Sequence, residues 1–166
     1  MTPRARIIGG TVGAMVAIAA PMGVYFEGVF PVGYADPVGI ATDCIGETEG
    51  ARVGVQRHTY AECLARYDAR LAGRWEALST SCIHHDVTVH EAAAIVSWAD
   101  NIGIYAACTS TLVRMLNAGA RAVAWCAQML RWTKATLLGV KIELPGLVKR
   151  RRAEHAMCLG RDWRQA

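Results

Sequence analysis

Two carboxylates, Glu27 and Asp36, share one turn-rich tract, Glu27-Gly-Val-Phe-Pro-Val-Gly-Tyr34-Ala-Asp36-Pro-Val-Gly39-Ile-Ala-Thr42-Asp-Cys-Ile-Gly46. Its glycines and prolines let the chain fold back and aim both acids into one cleft. A pair so placed can break a glycosidic bond. One carboxyl donates a proton to the leaving oxygen, and the other, ionised, works on the far side of the scissile bond. Glu27 also closes an apolar segment, where desolvation favours the protonated form that an acid catalyst needs. Two acids in a loop are more often simply solvated, so the bare pair does not decide the matter.

The elements that position this tract are those of one domain, since 166 residues suffice for a single core. The fold class is α+β, mainly helical. From Glu27 to about Gly54, short apolar runs between Gly and Pro indicate a small irregular sheet. Helices follow. Thr59 with Glu62 forms a capping box ahead of Leu64, Tyr67, Leu71, Trp75 and Leu78 at helical spacing, and Thr88 with Glu91 opens a second helix to about Ala99. Shorter helices are expected near 110–117, 120–132 and 147–159, the last entered through Pro145-Gly146.

Apolar residues make up 53% of the chain, concentrated in the first 26 positions. Residues Ile7 to Phe26 carry no charge and as a helix would span roughly 30 Å, one hydrocarbon core. Arg4 and Arg6 precede the segment and Glu27 ends it, which orients the N-terminus to the cytoplasm. Gly9, Gly10, Gly13, Gly23 and several alanines make it only weakly apolar, so its preference for lipid is small. A signal peptide cut near Ala17-Ile18-Ala19 and a buried N-terminal helix are the competing readings.

Six cysteines, at 44, 63, 82, 108, 126 and 158, all follow this segment, as disulfides in an oxidising compartment would. No CxxC pair occurs, and His90-Glu91 lacks the second His of HExxH because position 94 is Ala, so neither a metal nor another cofactor is expected. The net charge of +4 suits a wall polymer, a lipid surface or nucleic acid and selects none. On a helix the Lys149-Arg150-Arg151-Arg152 run points several ways, part of it solvated and part able to pair with Glu154 or with acids near the cleft, so nucleic acid is not the expected partner. Trp75, Trp98, Trp125 and Trp132 read as core rather than as sugar platforms.

The whole pattern of Glu27-Gly28, Tyr34-x-Asp36, Gly39, Thr42 and Gly46 resembles that of the phage lysozymes, at that family's spacing. Asn101-Ile-Gly103, Ser110-Thr-Leu, Leu116-Asn117-Ala-Gly, Arg131-Trp132 and Gly146-Leu147 leading to Arg150-Arg151 and Glu154 continue the resemblance in the family's order. With the apolar segment, the chain is similar to the signal-anchor-release endolysins. The resemblance implies a lysozyme-like fold, a small N-terminal sheet and a helical lobe. A weakly hydrophobic transmembrane segment over residues 1–26 would precede a catalytic domain over residues 27–166. It implies Glu27 as general acid, Asp36 as the residue that orients or activates water, and Thr42 as a holder of that water. The implied substrate is the β-1,4 bond between N-acetylmuramic acid and N-acetylglucosamine in peptidoglycan, cleaved with inversion. A monomer held in the host inner membrane by residues 7–26, then released to the periplasm, is the implied setting. Cys44–Cys63 and Cys126–Cys158 follow from the resemblance and leave Cys82–Cys108. The chain departs from the family at Glu47, where a His is usual, and at Asp43, where an apolar residue is usual. A lytic transglycosylase, a non-catalytic membrane-tethered murein-binding protein and a peptide-cleaving endolysin are the alternatives.

Overall fold

The computed structural model describes residues 4–36, 39–137 and 139–166. Its N-terminal segment is not one continuous helix. Ile7–Ile8 (β1) pairs in parallel with Val87 and Thr88, Gly9 turns at φ +71°, and Thr11 then caps the helix Val12–Glu27 (α1) by accepting from the Ala14 N–H. At 16 residues α1 is about 24 Å long. Among the described residues no helix is long and apolar enough to cross a membrane. The spanning helix expected over residues 7–26 is therefore absent from this state of the chain, because a glycine turn and a cap start the helix five residues late. Met15, Val16, Ala19 and Met22 of α1 instead enter the core, while Gly13, Ala14, Ala17 and Pro21 face solvent with no charge among them.

Gly28 ends α1 at φ +73°, a backbone conformation that favours glycine, and donates its N–H to the Val24 carbonyl. Phe30–Ala35 (β2) and Ala41–Cys44 (β3) then form an antiparallel hairpin with Tyr34 opposite Thr42 and an irregularity between Phe30 and Tyr34. A bridge from Val32 to Gln56 completes the small sheet lobe that the Gly/Pro pattern predicts.

Both capping boxes form as the sequence predicts, starting Tyr60–Ser81 (α2) and, after the short strand Val87–Thr88 (β4), Val89–Ile102 (α3). Ile104–Cys108 (α4), Thr111–Asn117 (α5) and Ala122–Cys126 (α6) follow, the last tightening into a 3-10 turn over Ala127–Arg131. Lys134–Leu137 (β5) and Val140–Glu143 (β6) make a hairpin that the periodicity reading missed. Pro145–Cys158 (α7) closes the helical lobe, with Pro at its first turn.

The core is built on α3, whose Ala92 to Ala99 are all buried between α1, α2 and α7. Trp75, Trp98 and Trp125 lie in it, and Trp132 packs edge-on against Trp98. The three disulfides are Cys44–Cys63, Cys82–Cys108 and Cys126–Cys158, as expected. They tie β3 to α2, α2 to α4, and α6 to α7.

Candidate active site

Glu27 is the last residue of α1, and its carboxylate reaches the buried guanidinium of Arg150 on α7. Arg150 also donates through Nε to Glu154 Oε1 at 3.1 Å. Glu154 is fully buried, takes a second guanidinium from Arg151, and accepts from Ser97 Oγ at 3.1 Å. Arg151 in turn donates to Asn101 Oδ1 and to the Trp132 carbonyl. Glu27 is thus anchored through a buried chain of charges, and its side chain remains 38% exposed. The apolar enclosure expected around it is replaced by an ion pair. Lys149 and Arg152 are exposed, so the basic run divides into paired and solvated members as its helical spacing predicts.

Opposite Glu27, the loop after β3 is closed by reciprocal backbone hydrogen bonds between Asp43 and Glu47. Gly46 in that loop has φ +67°, and a β-carbon there would stand 3.9 Å from Glu27 Oε2. A cleft of about 240 Å³ results, lined by Glu27, Gly46, Arg70, Arg74, Asn101 and Arg150. A larger hollow lined by Ser110, Gln128 and Arg131 contains no carboxylate.

Asp36 sits at the end of the β2–β3 hairpin. Its N–H donates to the Ile40 carbonyl at 2.9 Å, and its carboxylate accepts the Ile40 N–H at 2.8 Å. Asp36 directly follows the last residue of β2, Ala35, and within the ladder Thr42 lies directly across from Tyr34. Burial raises the Tyr34 phenol above its usual value, and the charges of Glu27 and then Asp36 add to the rise. Thr42 is buried and donates its hydroxyl to the Ile40 carbonyl at 3.1 Å, which leaves its lone pairs free to accept.

Arginines hold the loop under the site. Arg57 pairs with buried Asp43 at 2.9 Å, Arg66 grips both oxygens of Glu47, and Arg70 donates to the Ile45 carbonyl at 2.6 Å. Arg70 and Arg74 also both reach Asp100, at 3.1 Å each. Glu47 thus has a cation as partner where the family has a His. The hydrogen bond from Arg66 holds its carboxyl below the usual range. Sequence reasoning missed these arginines, although positions 66, 70 and 74 recur every four residues along one face of α2.

A family model described as phage lysozyme matches residues 24–154. The SAR-endolysin of Pseudomonas phage phiKMV is 33% identical over 147 residues, covering 89% of this chain and 89% of the relative. The SAR-endolysin of Escherichia phage Mu is 32% identical over 151 residues, with 91% and 84% covered. A solved endolysin from Escherichia coli O157:H7 phage FAHEc1 superposes with a TM-score of 0.77 at 27% identity, covering 94% of this chain and 96% of that one. The chain belongs to the phage lysozyme family.

Proposed function

We propose that this chain is an endolysin that hydrolyses the β-1,4 bond between N-acetylmuramic acid and N-acetylglucosamine of peptidoglycan, for lysis of a host cell. The observation that carries this reading is that Glu27, held by the buried guanidinium of Arg150 and facing Gly46, lines the cleft with its carboxylate part exposed. Glu27 gives its proton to the glycosidic oxygen as the bond to C1 breaks. Asp36 takes a proton from a water held with the help of Thr42, and that water's oxygen bonds to C1 from the opposite face, with inversion. Arg150 acts as a positioning residue that holds Glu27 at the cleft.

The SAR-endolysin relatives support a second part of the proposal. Residues 7–26 first hold the chain in the inner membrane, with the N-terminus cytoplasmic and the catalytic domain, residues 27–166, in the periplasm. α1 suits both solvents, since its exposed residues, Val12, Gly13, Ala14, Ala17, Pro21 and Tyr25, are all uncharged. While the segment is in lipid, Glu27 is fixed at the bilayer surface and cannot reach Arg150, so the tethered enzyme is inactive by geometry. Once released, the chain works as a monomer.

Glu27→Gln tests the catalytic reading. The amide keeps the shape but has no proton to give, so no new reducing ends should form on purified cell walls while circular dichroism stays unchanged. Hydrolysis near the wild-type rate overturns the assignment. Anhydro ends in place of reducing ends would transfer the wild-type protein to the transglycosylases.

A further inference from the structure

The tryptophans are occupied in packing. Trp75, Trp98, Trp125 and Trp163 are buried, and Trp132 lies against Trp98. A glycan cleft nevertheless needs apolar surface, because a β-linked hexopyranose presents axial C–H bonds on each ring face, and an aromatic face attracts those positively polarised edges.

Phe30 offers such a surface at the right place. It is 47% exposed, although burying a phenyl ring would stabilise the fold. Its ring rests over Gly28, the residue directly after Glu27. A β-carbon at position 28 would meet Phe30 Cε2 at 2.7 Å and Cζ at 3.0 Å. On its other side the ring meets Tyr34 edge to face, with centroids 5.0 Å apart and planes at 61°. Tyr34 stands opposite Thr42. An exposed ring is thus braced between the backbone of the residue that follows the proposed acid and the Tyr34 side chain. Glycine at position 28 serves twice, for its positive φ and for the space beneath the ring.

We infer that Phe30, braced by Tyr34, is the sugar-stacking platform of this cleft, covering the C–H face of an N-acetylhexosamine next to the bond that Glu27 protonates. The inference rests on the glycosidase reading above and adds a substrate-binding residue to it. The platform acts on ground state and transition state alike, so its loss raises KM and leaves kcat.

The test uses the full chain with Phe30→Leu, Phe30→Ala and Phe30→Trp, assayed by steady-state kinetics on soluble wall glycan oligomers. Direct binding of the same oligomers is measured in the Glu27→Gln background. Leu and Ala should raise both KM and Kd roughly three- to tenfold with kcat within about twofold, and Trp should restore both. Thermal melts confirm folding, and Leu remains informative if Ala unfolds. A Leu variant with wild-type KM and Kd overturns the platform while leaving the glycosidase reading intact, and so does a loss confined to kcat. Failure of the wild-type protein to bind or cleave the oligomers overturns the glycosidase reading itself.

Discussion

Replacing Gly23 with alanine would drive a methyl group into Tyr67. Gly23 is buried on α1, and a β-carbon there would stand 2.5 Å from Tyr67 Cε1 and closer still to Cζ and the hydroxyl oxygen. Tyr67 is only 2% exposed, lies within α2, and carries the Arg70 guanidinium 4.7 Å from its ring centroid, so it has little room to step aside. Two effects oppose each other. Alanine is the better helix former by about 1 kcal/mol, whereas overpacking a filled core costs about 1–3 kcal/mol. A clash with ring and hydroxyl together puts the cost at the upper end, and the net loss is about 2 kcal/mol. For a chain of this size that lowers Tm by about 4–8 °C, readable by calorimetry. Tyr67→Phe is the control. The hydroxyl has no hydrogen-bond partner among the described residues, so removing it alone should cost nothing. In the double variant only part of the loss should return, because Cζ still blocks the methyl. A Gly23→Ala protein that melts at or above the wild-type temperature would show that α1 does not seat against α2 at this point.

Arg150→Ala removes the cation shared by Glu27 and Glu154 and should cost about 3–5 kcal/mol, whereas Lys149→Ala, one residue away and exposed, should stay within about 0.5 kcal/mol; equal denaturant midpoints would contradict the buried network. Glu47 has a folded pKa below its ordinary value of 4.5, so its contribution is fully present above that value and is lost as pH falls through the folded pKa. Glu47→Gln should therefore lower Tm at neutral pH and flatten its fall below pH 4.5, and a parallel fall in both proteins would count against the Arg66 pair. Gly13→Leu with Ala17→Leu adds apolar surface on the exposed side of α1, where position 13 meets nothing nearer than Thr11 Oγ1 at 3.7 Å. That protein should stay in the membrane fraction and fail to lyse cells, yet hydrolyse walls once purified, and normal release would refute the tether.

Capping boxes made α2 and α3 legible, because Thr59–Glu62 and Thr88–Glu91 are local signals that tertiary contacts only reinforce. The turn-rich tract from Glu27 to Gly46 was legible for a similar reason, since its hairpin is closed by backbone and side-chain hydrogen bonds within a few residues. Long-range pairing was not. Ile7–Ile8 finds its partner strand some 80 residues away, so nothing local marks the break that starts α1 at Val12. The β5–β6 hairpin has only a weak alternation, and its exposed Val140 and Ile142 blur it further. At the site, the burial of Arg150 and Arg151 and the whole arginine cradle under the loop depend on α7 and α2 meeting the cleft. Spacing along one helix can suggest such a meeting but cannot specify it.

The buried charges of α7 have a consequence for how the molecule assembles. Arg150 and Arg151 carry two positive charges into the helical lobe, and Glu154 balances one of them. The second negative charge comes from Glu27, 123 residues away in sequence on α1. Without α1 in place the lobe holds an uncompensated cation, which is costly in a low-dielectric interior. The body of the protein is therefore a receptor for its own first helix. Gly23 supplies the notch against Tyr67, and Arg150 supplies the socket into which Glu27 plugs. Since the plug is also the proposed acid, closing the fold and arming the enzyme are a single event.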